Sequence, residues 1–159
     1  MGVTETPNEL WRLVFDVNLN GPMYLMRAGI PEMLKNEEPH KGVVINISSV
    51  SSLRGAVSGA AYCTAKTALN ALGRNTAWIY RNDGIRCNTV LPGGVTTNIV
   101  KNSQSTYAPG KKTYAQAPMH ACAVGPCSAL EVAESVLFLI TATSVNGEEL
   151  VIDKGWMMA

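Results

Sequence analysis

The sequence predicts an α/β fold in which three parallel strands are retained with flanking helices. Three observations carry this prediction. Apolar, β-branched runs begin at Val43, Ile85 and Leu150, segments of helical periodicity lie between them, and polar residues follow the first two runs, where open parallel sheets place their ligand sites. The composition, with 47% hydrophobic and 16% charged residues, predicts one globular domain, 1–159.

The first predicted element is a long helix with an interruption. Thr6-Pro7-Asn8-Glu9 has the pattern of a capping box with proline in the first turn. This pattern predicts a helix that runs through Asn18 towards Lys35. Gly21-Pro22 must kink or interrupt it, because proline lacks a backbone donor and its ring clashes with the preceding turn.

The first two predicted strands both lead into polar groups. The run from Gly42 to Ile47 is β-branched and apolar, and Ser48-Ser49 follows it directly. The segment from Gly84 to Thr97 predicts a second strand that runs into the turn Pro92-Gly93, with hydroxyls behind it. Ligand sites in α/β sheets lie beyond such strand ends, so these groups are candidates for a site.

A helix is predicted between these strands, from about Ala60 to Arg81, and Gly84 suits the left-handed position that follows a helix. Tyr62 and Lys66 are four residues apart and therefore share one helix face. A phenol with an ordinary pKa near ~10 is a poor base at neutral pH, but an adjacent ammonium lowers that value. Taken alone, this pair is also common on solvated helices.

The remaining chain predicts one more helix and one more strand. Ser128-Ala129-Leu130-Glu131 is a second capping box, which opens a helix that packs on the sheet. Leu150 to Ile152 is the last predicted strand. The stretch between Asn98 and Cys127 is rich in Ser, Thr, Tyr, Pro and Lys and has little periodicity.

Three motifs in this order resemble the short-chain dehydrogenase/reductase family. They are the NISS of 46–49, the YxxxK of 62–66 and the IRxNxVxPGxxxT of 85–97. The resemblance extends back to 17–21 and forward to 146–156, although Lys154 departs from the glycine pair usual after Asp153. It implies a partial Rossmann (doubly wound) fold whose substrate-covering lid corresponds to about 98–127.

The resemblance also implies roles for four residues in catalysis. Tyr62 matches the general acid/base, Lys66 the residue that lowers its pKa and holds the nicotinamide ribose, and Ser49 the residue that orients the substrate oxygen. Asn18 matches the residue that holds a water in the proton relay. An ordinary kinked surface helix around Asn18 remains the alternative interpretation of that segment. Asn88 matches a structural support behind the site.

A nicotinamide cofactor, NAD or NADP, is implied in the same way. Besides Tyr62 and Lys66, the matching cofactor-binding residues are Pro92, Gly93, Val95 and Thr97. The chemistry needs no metal, and four cysteines without CxxC spacing do not predict one. The family's glycine-rich nucleotide turn is not found in this sequence, whose start corresponds to the region after the family's fourth strand.

Two functions are therefore open. The first is an NAD(P)-dependent oxidoreductase that transfers hydride between nicotinamide and a small alcohol or carbonyl substrate. The second is a truncated, non-catalytic fragment that acts at most as an oligomerisation or interaction module. Family members pair the two long helices across a dimer interface, which implies a homo-oligomer. Trp78 fits such an interface and a core position equally well.

Partners and location follow from charge and composition. A formal net charge of +1 without runs of like charge gives no indication of nucleic acid or of an anionic membrane. No apolar run is long enough for a membrane span, and unpaired cysteines fit the cytoplasm. Without the family's earlier strands, the strand at Val43 is expected to be an unpaired apolar edge, and the fragment to be less stable than its family.

Overall fold

Three parallel strands form the sheet, in the order β1-β2-β3. The computed structural model describes residues 1–55, 58–97 and 125–158. Its strands are β1 (Gly42–Ile47), β2 (Ile85–Pro92) and β3 (Glu149–Ile152). Its helices are α1 (Asn8–Phe15), α2 (Gly21–Met33), α3 (Ala60–Ile79) and α4 (Ala129–Thr141). The predicted α/β fold with three parallel strands and flanking helices is confirmed.

The register brings all three carboxyl ends to one edge of the sheet. Ile47, the last residue of β1, pairs with Val90, and Pro92, the last of β2, pairs with Ile152 at the end of β3. Parallel pairing without a large stagger means that whatever follows these strands meets in space. The polar residues predicted to form a site are positioned in this way.

The first helical segment begins differently from its prediction. α1 starts at Asn8 after Pro7, and no side chain caps it. The Thr6 hydroxyl donates instead to the carbonyl of Gly2 at 2.8 Å, so the predicted capping box of Thr6 and Glu9 is wrong. The Thr6 hydroxyl bonds a nearby backbone carbonyl and does not cap the helix, and such competition is common for short polar side chains.

The interruption of this segment is a turn of π-helix over Asp16–Asn20, which joins α1 to α2. It lies directly before Gly21-Pro22, where the sequence predicted a break. Pro22 occupies the first turn of α2, the part of a helix in which proline is best tolerated. α2 then ends at Met33, two residues before the predicted end.

α3 packs closely on the sheet. A Cβ on Gly73 would lie 2.8 Å from Oγ1 of Thr89 on β2 and 3.1 Å from Nδ2 of Asn46 on β1, so only glycine permits this approach. The helix is followed by Gly84 with a φ of 74°, the left-handed conformation that its position predicted. The Gly84 carbonyl then accepts the N–H of Lys41 at 2.9 Å, which ties this turn to the start of β1.

The predicted capping box at the start of α4 is confirmed. The N–H of Glu131 donates to Oγ of Ser128 at 3.2 Å, and the N–H of Ser128 donates to the Glu131 carboxylate at 2.6 Å. After β3, Lys154 adopts a φ of 54°, which explains why the family's usual residue there is glycine. The Asp153 carboxylate accepts the N–H groups of Gly155 and Met157 and so closes the turn.

One core cluster joins α2 to β2, where Met26, Ile30 and Ile85 are buried together. β1 is less covered: its residues 43–45 are half-buried and Ile47 is 47% exposed. Within the described residues β1 pairs with β2 alone, as expected for an apolar edge strand. Trp78 is 63% exposed, so the interpretation of Trp78 as a core residue is wrong.

The predicted lid, about 98–127, lies outside the described residues apart from 125–127. In the part of the chain that the structure describes, no helix is long and apolar enough to cross a membrane.

Candidate active site

Ser49 lies two residues after the edge strand β1 and is a residue of the candidate site. Its backbone is extended, and it caps the 3-10 turn Val50–Ser52. Its Oγ accepts the N–H of Ser51 at 3.1 Å, and its side chain is close enough to Tyr62 to lower the pKa of the phenol. A hydroxyl has one proton and two lone pairs. The contact with Ser51 therefore fixes the rotamer of Ser49. One proton and one lone pair of Oγ remain, for Tyr62 and for one further group.

Tyr62 lies in the first turn of α3 and is partly buried. Burial raises the pKa of its phenol above the ordinary value of 10.0, and the hydrogen bond with Ser49 acts in the opposite direction. Interaction with Cys63 adds a smaller increase to the pKa. The fold thus favours the neutral phenol, the form that can donate a proton.

Lys66 lies one helical turn further along α3, on the same face. Its Nζ is 5.5 Å from the centroid of the Tyr62 ring and donates to the carbonyl of Ile47 at 2.9 Å. The residue is 8% exposed, and burial lowers the pKa of its ammonium. Ser48 completes the junction, because its Oγ donates to the Lys66 carbonyl at 3.2 Å. These bonds join the end of β1 to the start of α3.

The expected lowering of the Tyr62 pKa by Lys66 is not found, since the pKa of Tyr62 is raised. Two features explain the difference. The Lys66 ammonium is directed at the Ile47 carbonyl, and the largest effect on the phenol is its own loss of solvent. Desolvation disfavours the phenolate, and the Lys66 charge is not among the effects that offset it.

Asn18 lies in the π-helical turn Asp16–Asn20, which contacts α3. Its Nδ2 donates to the carbonyl of Val14 at 2.9 Å, one turn back in its own helix. Single π-helical turns often occur at functional sites, because they reorient a side chain within a helix. The structure therefore brings the segment of Asn18 to α3, while the side-chain amide is bonded within its own helix.

The four other predicted cofactor-binding residues lie around the end of β2. Pro92 ends the strand, and Gly93 donates its N–H to the carbonyl of Ile152 at 2.9 Å. A Cβ on Gly93 would lie 2.8 Å from that of Asp153, so the segments that follow β2 and β3 approach each other closely at this point. Val95 forms a parallel bridge with Cys127, and Thr97 is exposed.

Asn88 is fully buried on β2 and has both ends of its amide engaged. Its Nδ2 donates to the carbonyl of Val145 at 3.0 Å, and its Oδ1 accepts the N–H of Glu148 at 2.9 Å. These bonds hold the loop that leads into β3. In the described ranges, no group of three or more His, Cys, Asp or Glu side chains could hold a metal ion.

Three polar residues that the sequence did not single out support the site: Ser52, Asn70 and Glu149. One signal was available for Asn70. It follows Lys66 by four residues, as Lys66 follows Tyr62, so the stripe of polar residues continues along the same helix face. No local signal marked Ser52 or Glu149, because their partner lies in another element.

This geometry is accompanied by similarity to known proteins along nearly the whole chain. The family model described as enoyl-(acyl carrier protein) reductase matches residues 1–157. The chain belongs to the short-chain dehydrogenase/reductase family. Among curated members, a short chain dehydrogenase of Penicillium rubens is 32% identical over 97% of this chain, and a short-chain dehydrogenase/reductase of Penicillium canescens is 36% identical over 92%.

Solved structures of the family superimpose well on this chain. A 3-oxoacyl-[acyl-carrier protein] reductase from Brucella melitensis has a TM-score of 0.81 and 27% identity, and the match covers 100% of this chain and 57% of that one. A Brucella melitensis reductase of the same description with bound NAD has a TM-score of 0.77 at 26% identity, covering 100% of this chain and 56% of that one. ElxO with bound NADP has a TM-score of 0.78 at 25% identity, covering 99% and 62%.

The chain spans about 60% of the length of its relatives: 62% of the Penicillium rubens protein and 59% of the Penicillium canescens protein. Within that span, family membership and the fold are established. What the whole protein catalyses is a separate question.

Proposed function

We propose that this chain carries the catalytic residues of an NAD(P)-dependent oxidoreductase that interconverts a small alcohol and its carbonyl compound. One observation carries the proposal: Ser49, Tyr62 and Lys66 come from two elements and meet at the carboxyl edge of the sheet. A hydroxyl, a phenol and an ammonium in one cluster can bind and protonate a substrate oxygen.

In the reduction direction, Tyr62 gives its proton to the carbonyl oxygen of the substrate. Burial favours the neutral phenol, which suits this role as general acid. Ser49 accepts from Ser51 and lies close enough to Tyr62 to affect its pKa, so its hydroxyl can orient the same substrate oxygen. A nicotinamide held beside these residues would supply the hydride for the carbonyl carbon, so that hydride and the Tyr62 proton together complete the reduction.

The residues present fit the nicotinamide end of such a cofactor. Nζ of Lys66 has one contact to Ile47, and an ammonium has three donors, so two remain for ribose hydroxyls. Pro92, Gly93, Val95 and Thr97 would contact the nicotinamide side, as the resemblance implies. NAD and NADP are both found on similar folds, and the choice between them is left to experiment.

We further propose a small-molecule alcohol or carbonyl substrate, a cytoplasmic location and a homo-oligomer formed through the two long helices. Nucleic acid and membrane are not among the proposed partners. Exposed apolar side chains on these helices support the oligomer: they are Leu13, Val17, Tyr24, Leu25, Trp78 and Ile79. Packing such residues against a second subunit would remove apolar surface from water.

The same exposed side chains favour the second candidate function, a non-catalytic oligomerisation or interaction module. The two candidates separate on the intact mass of the protein purified from its source. A protein longer than these 159 residues supports the oxidoreductase. For the 159-residue chain by itself we expect no detectable NADH or NADPH binding by calorimetry, because the family's glycine-rich turn is not found in this sequence.

The test of catalysis is the Tyr62→Phe variant of the protein as its source makes it, assayed by NADPH or NADH oxidation with carbonyl substrates. Removal of a general acid is expected to lower kcat by about 10²–10⁴-fold. Tyr24→Phe is the matched control, because Tyr24 is exposed on α2 and lies outside the site. Turnover by Tyr62→Phe at the wild-type rate would contradict the proposed function.

A further inference from the structure

α3 carries a polar stripe that continues beyond the proposed catalytic residues. Tyr62, Lys66, Asn70 and Arg74 recur every four residues, so each lies next to the following one on the helix surface. Asn70 is 2% exposed, a degree of burial unusual for an amide. A buried amide is unfavourable unless its groups are hydrogen-bonded, so its partners indicate its purpose.

Asn70 hydrogen-bonds residues of two other elements, β3 and the turn Val50–Ser52. Its Nδ2 donates to the Glu149 carboxylate at 2.9 Å and to Oγ of Ser52 at 3.0 Å. Glu149 begins β3 and also pairs with the guanidinium of Arg74. The donor identity of Nδ2 is fixed by these partners, because a carboxylate can only accept.

Ser52 links Asn70 to Ser49, the proposed catalytic serine. Its Oγ donates to the carbonyl of Ser49 at 2.6 Å, and its N–H donates to the same carbonyl at 3.0 Å. Because the Ser52 proton is directed at Ser49, its oxygen is left as an acceptor for Asn70. The Ser52 carbonyl in turn accepts Oγ1 of Thr67, which ties the turn to α3 a second time.

We infer that Glu149, Asn70 and Ser52 form a hydrogen-bonded relay that positions Ser49 against Tyr62. These three are positioning residues: none of them touches the reacting atoms, and they act through the Ser49 backbone. The inference deepens the proposed function and rests on it for its catalytic consequence. The geometric part, that the relay controls the contact between Ser49 and Tyr62, is independent of turnover.

The chemistry of the amide supports a positioning role over simple packing. In the described part of the chain, Oδ1 of Asn70 is buried without a hydrogen-bond partner. An apolar residue of similar volume would fill the same space without this penalty. An apolar residue could not make the two hydrogen bonds of Nδ2. These bonds link Glu149 on β3 to Ser52, which in turn bonds Ser49.

The experiment compares Asn70→Leu and Ser52→Ala in the full protein, with Ser49→Ala as reference and Asn75→Leu as control. Asn75 lies on the exposed side of α3. The first readout is the titration of Tyr62, followed by near-ultraviolet absorbance as the difference between each protein and its Tyr62→Phe counterpart. Loss of the Ser49 contact is expected to raise the pKa of Tyr62, since that contact lowers it.

Both relay variants should shift the Tyr62 titration in the same direction as Ser49→Ala, and Asn75→Leu should leave it unchanged. The second readout is steady-state kinetics: kcat falls about tenfold in each relay variant while KM changes less than about twofold, because a displaced Ser49 misorients the substrate oxygen. The double variant should be no slower than the slower single variant, since both changes interrupt one relay.

Glu149→Gln supplies the rescue, because its amide oxygen still accepts from Asn70, whereas Glu149→Leu does not. The former should retain the wild-type Tyr62 titration and the latter should shift it. An unchanged titration in Asn70→Leu and Ser52→Ala, or in the Ser49→Ala reference itself, overturns the inference. If Asn70→Leu does not fold, the Tyr62 titration of Ser52→Ala alone tests the relay. Ser52→Ala removes only one hydroxyl and is therefore the milder change. A wild-type protein without turnover would contradict the proposed function alone, and the titration would still decide the relay.

Discussion

β1 and β2 are apolar parallel strands of the same sheet, yet the fold covers them very differently. Ile85 on β2 is 1% exposed, whereas Ile47 on β1 is 47% exposed. β2 is paired on both sides, with β1 and β3, and β1 is paired within the described residues only with β2. The burial of a strand is therefore set by its neighbours as much as by its own side chains.

The candidate site and its supporting residues come from both the less covered and the better covered part of the sheet. Ser49 follows the less covered strand, and Lys66 is bonded to the carbonyl of Ile47 at its end. The supports of Ser49 come from the other side: Asn70 lies on α3, which packs on β2, and Glu149 lies on β3. The better-packed half of the sheet thus supplies the contacts that hold the candidate residue Ser49, which follows the edge strand.

The largest expected effect comes from the same substitution made on the two strands. Ile85→Ala should lower the free energy of unfolding by about 2–5 kcal/mol, because it leaves a cavity beside Met26 and Ile30. Ile47→Ala should cost about 1 kcal/mol or less, since roughly half of the residue is already in water. Urea unfolding measures both values. Equal losses would show that β1 is covered as well as β2.

A second comparison uses two helical glycines. Gly73→Ala should destabilise the protein by about 1–3 kcal/mol, because its Cβ would come within 2.8 Å of Oγ1 of Thr89 on β2. Gly29→Ala on α2 is the control, since a Cβ there meets nothing within 4 Å, and the better helix propensity of alanine should add up to about 1 kcal/mol. Thermal unfolding shows whether each variant is less or more stable than wild type. A neutral Gly73→Ala would mean that α3 lies further from the sheet.

The smallest expected effect concerns Lys66 and the end of β1. Burial lowers the pKa of Lys66 below 10.5, so the folded state disfavours its charged form. This penalty is complete below the folded pKa and disappears as the pH rises towards 10.5, because the folded protein releases this proton first. The free energy of unfolding of wild type relative to Lys66→Met should therefore increase as the pH rises towards 10.5.

The measurement is chemical unfolding of wild type and Lys66→Met across this pH range. The difference between the two proteins isolates Lys66, since Tyr62 titrates in both. Lys35→Met, which removes an exposed lysine at the end of α2, is the matched control. A difference that stays constant with pH would contradict the assignment of the penalty to Lys66. In the proposed enzyme the same variant should lose activity, because the cluster loses its cation.

Much of the fold could be predicted from local pattern. The runs at Val43, Ile85 and Leu150 became strands within one residue of these starts, and Ser128-Glu131 capped its helix as predicted. The cap at Thr6 failed because a second acceptor, the Gly2 carbonyl, lay within reach of the same hydroxyl. The core interpretation of Trp78 failed because helical periodicity places a residue on a face without saying what covers that face.

The sequence by itself determined the order of strands and helices, the hydroxyls beyond β1, and the shared helix face of Tyr62 and Lys66. These features depend on residues within a few positions of one another, where strand and helix periods apply. Tertiary structure alone decided the direction of the Tyr62 pKa shift and the exposure of β1. It also decided the bond between Asn70 and Glu149, which are 79 residues apart in the chain. Desolvation and hydrogen bonding depend on groups that only folding brings together, and no local pattern encodes them.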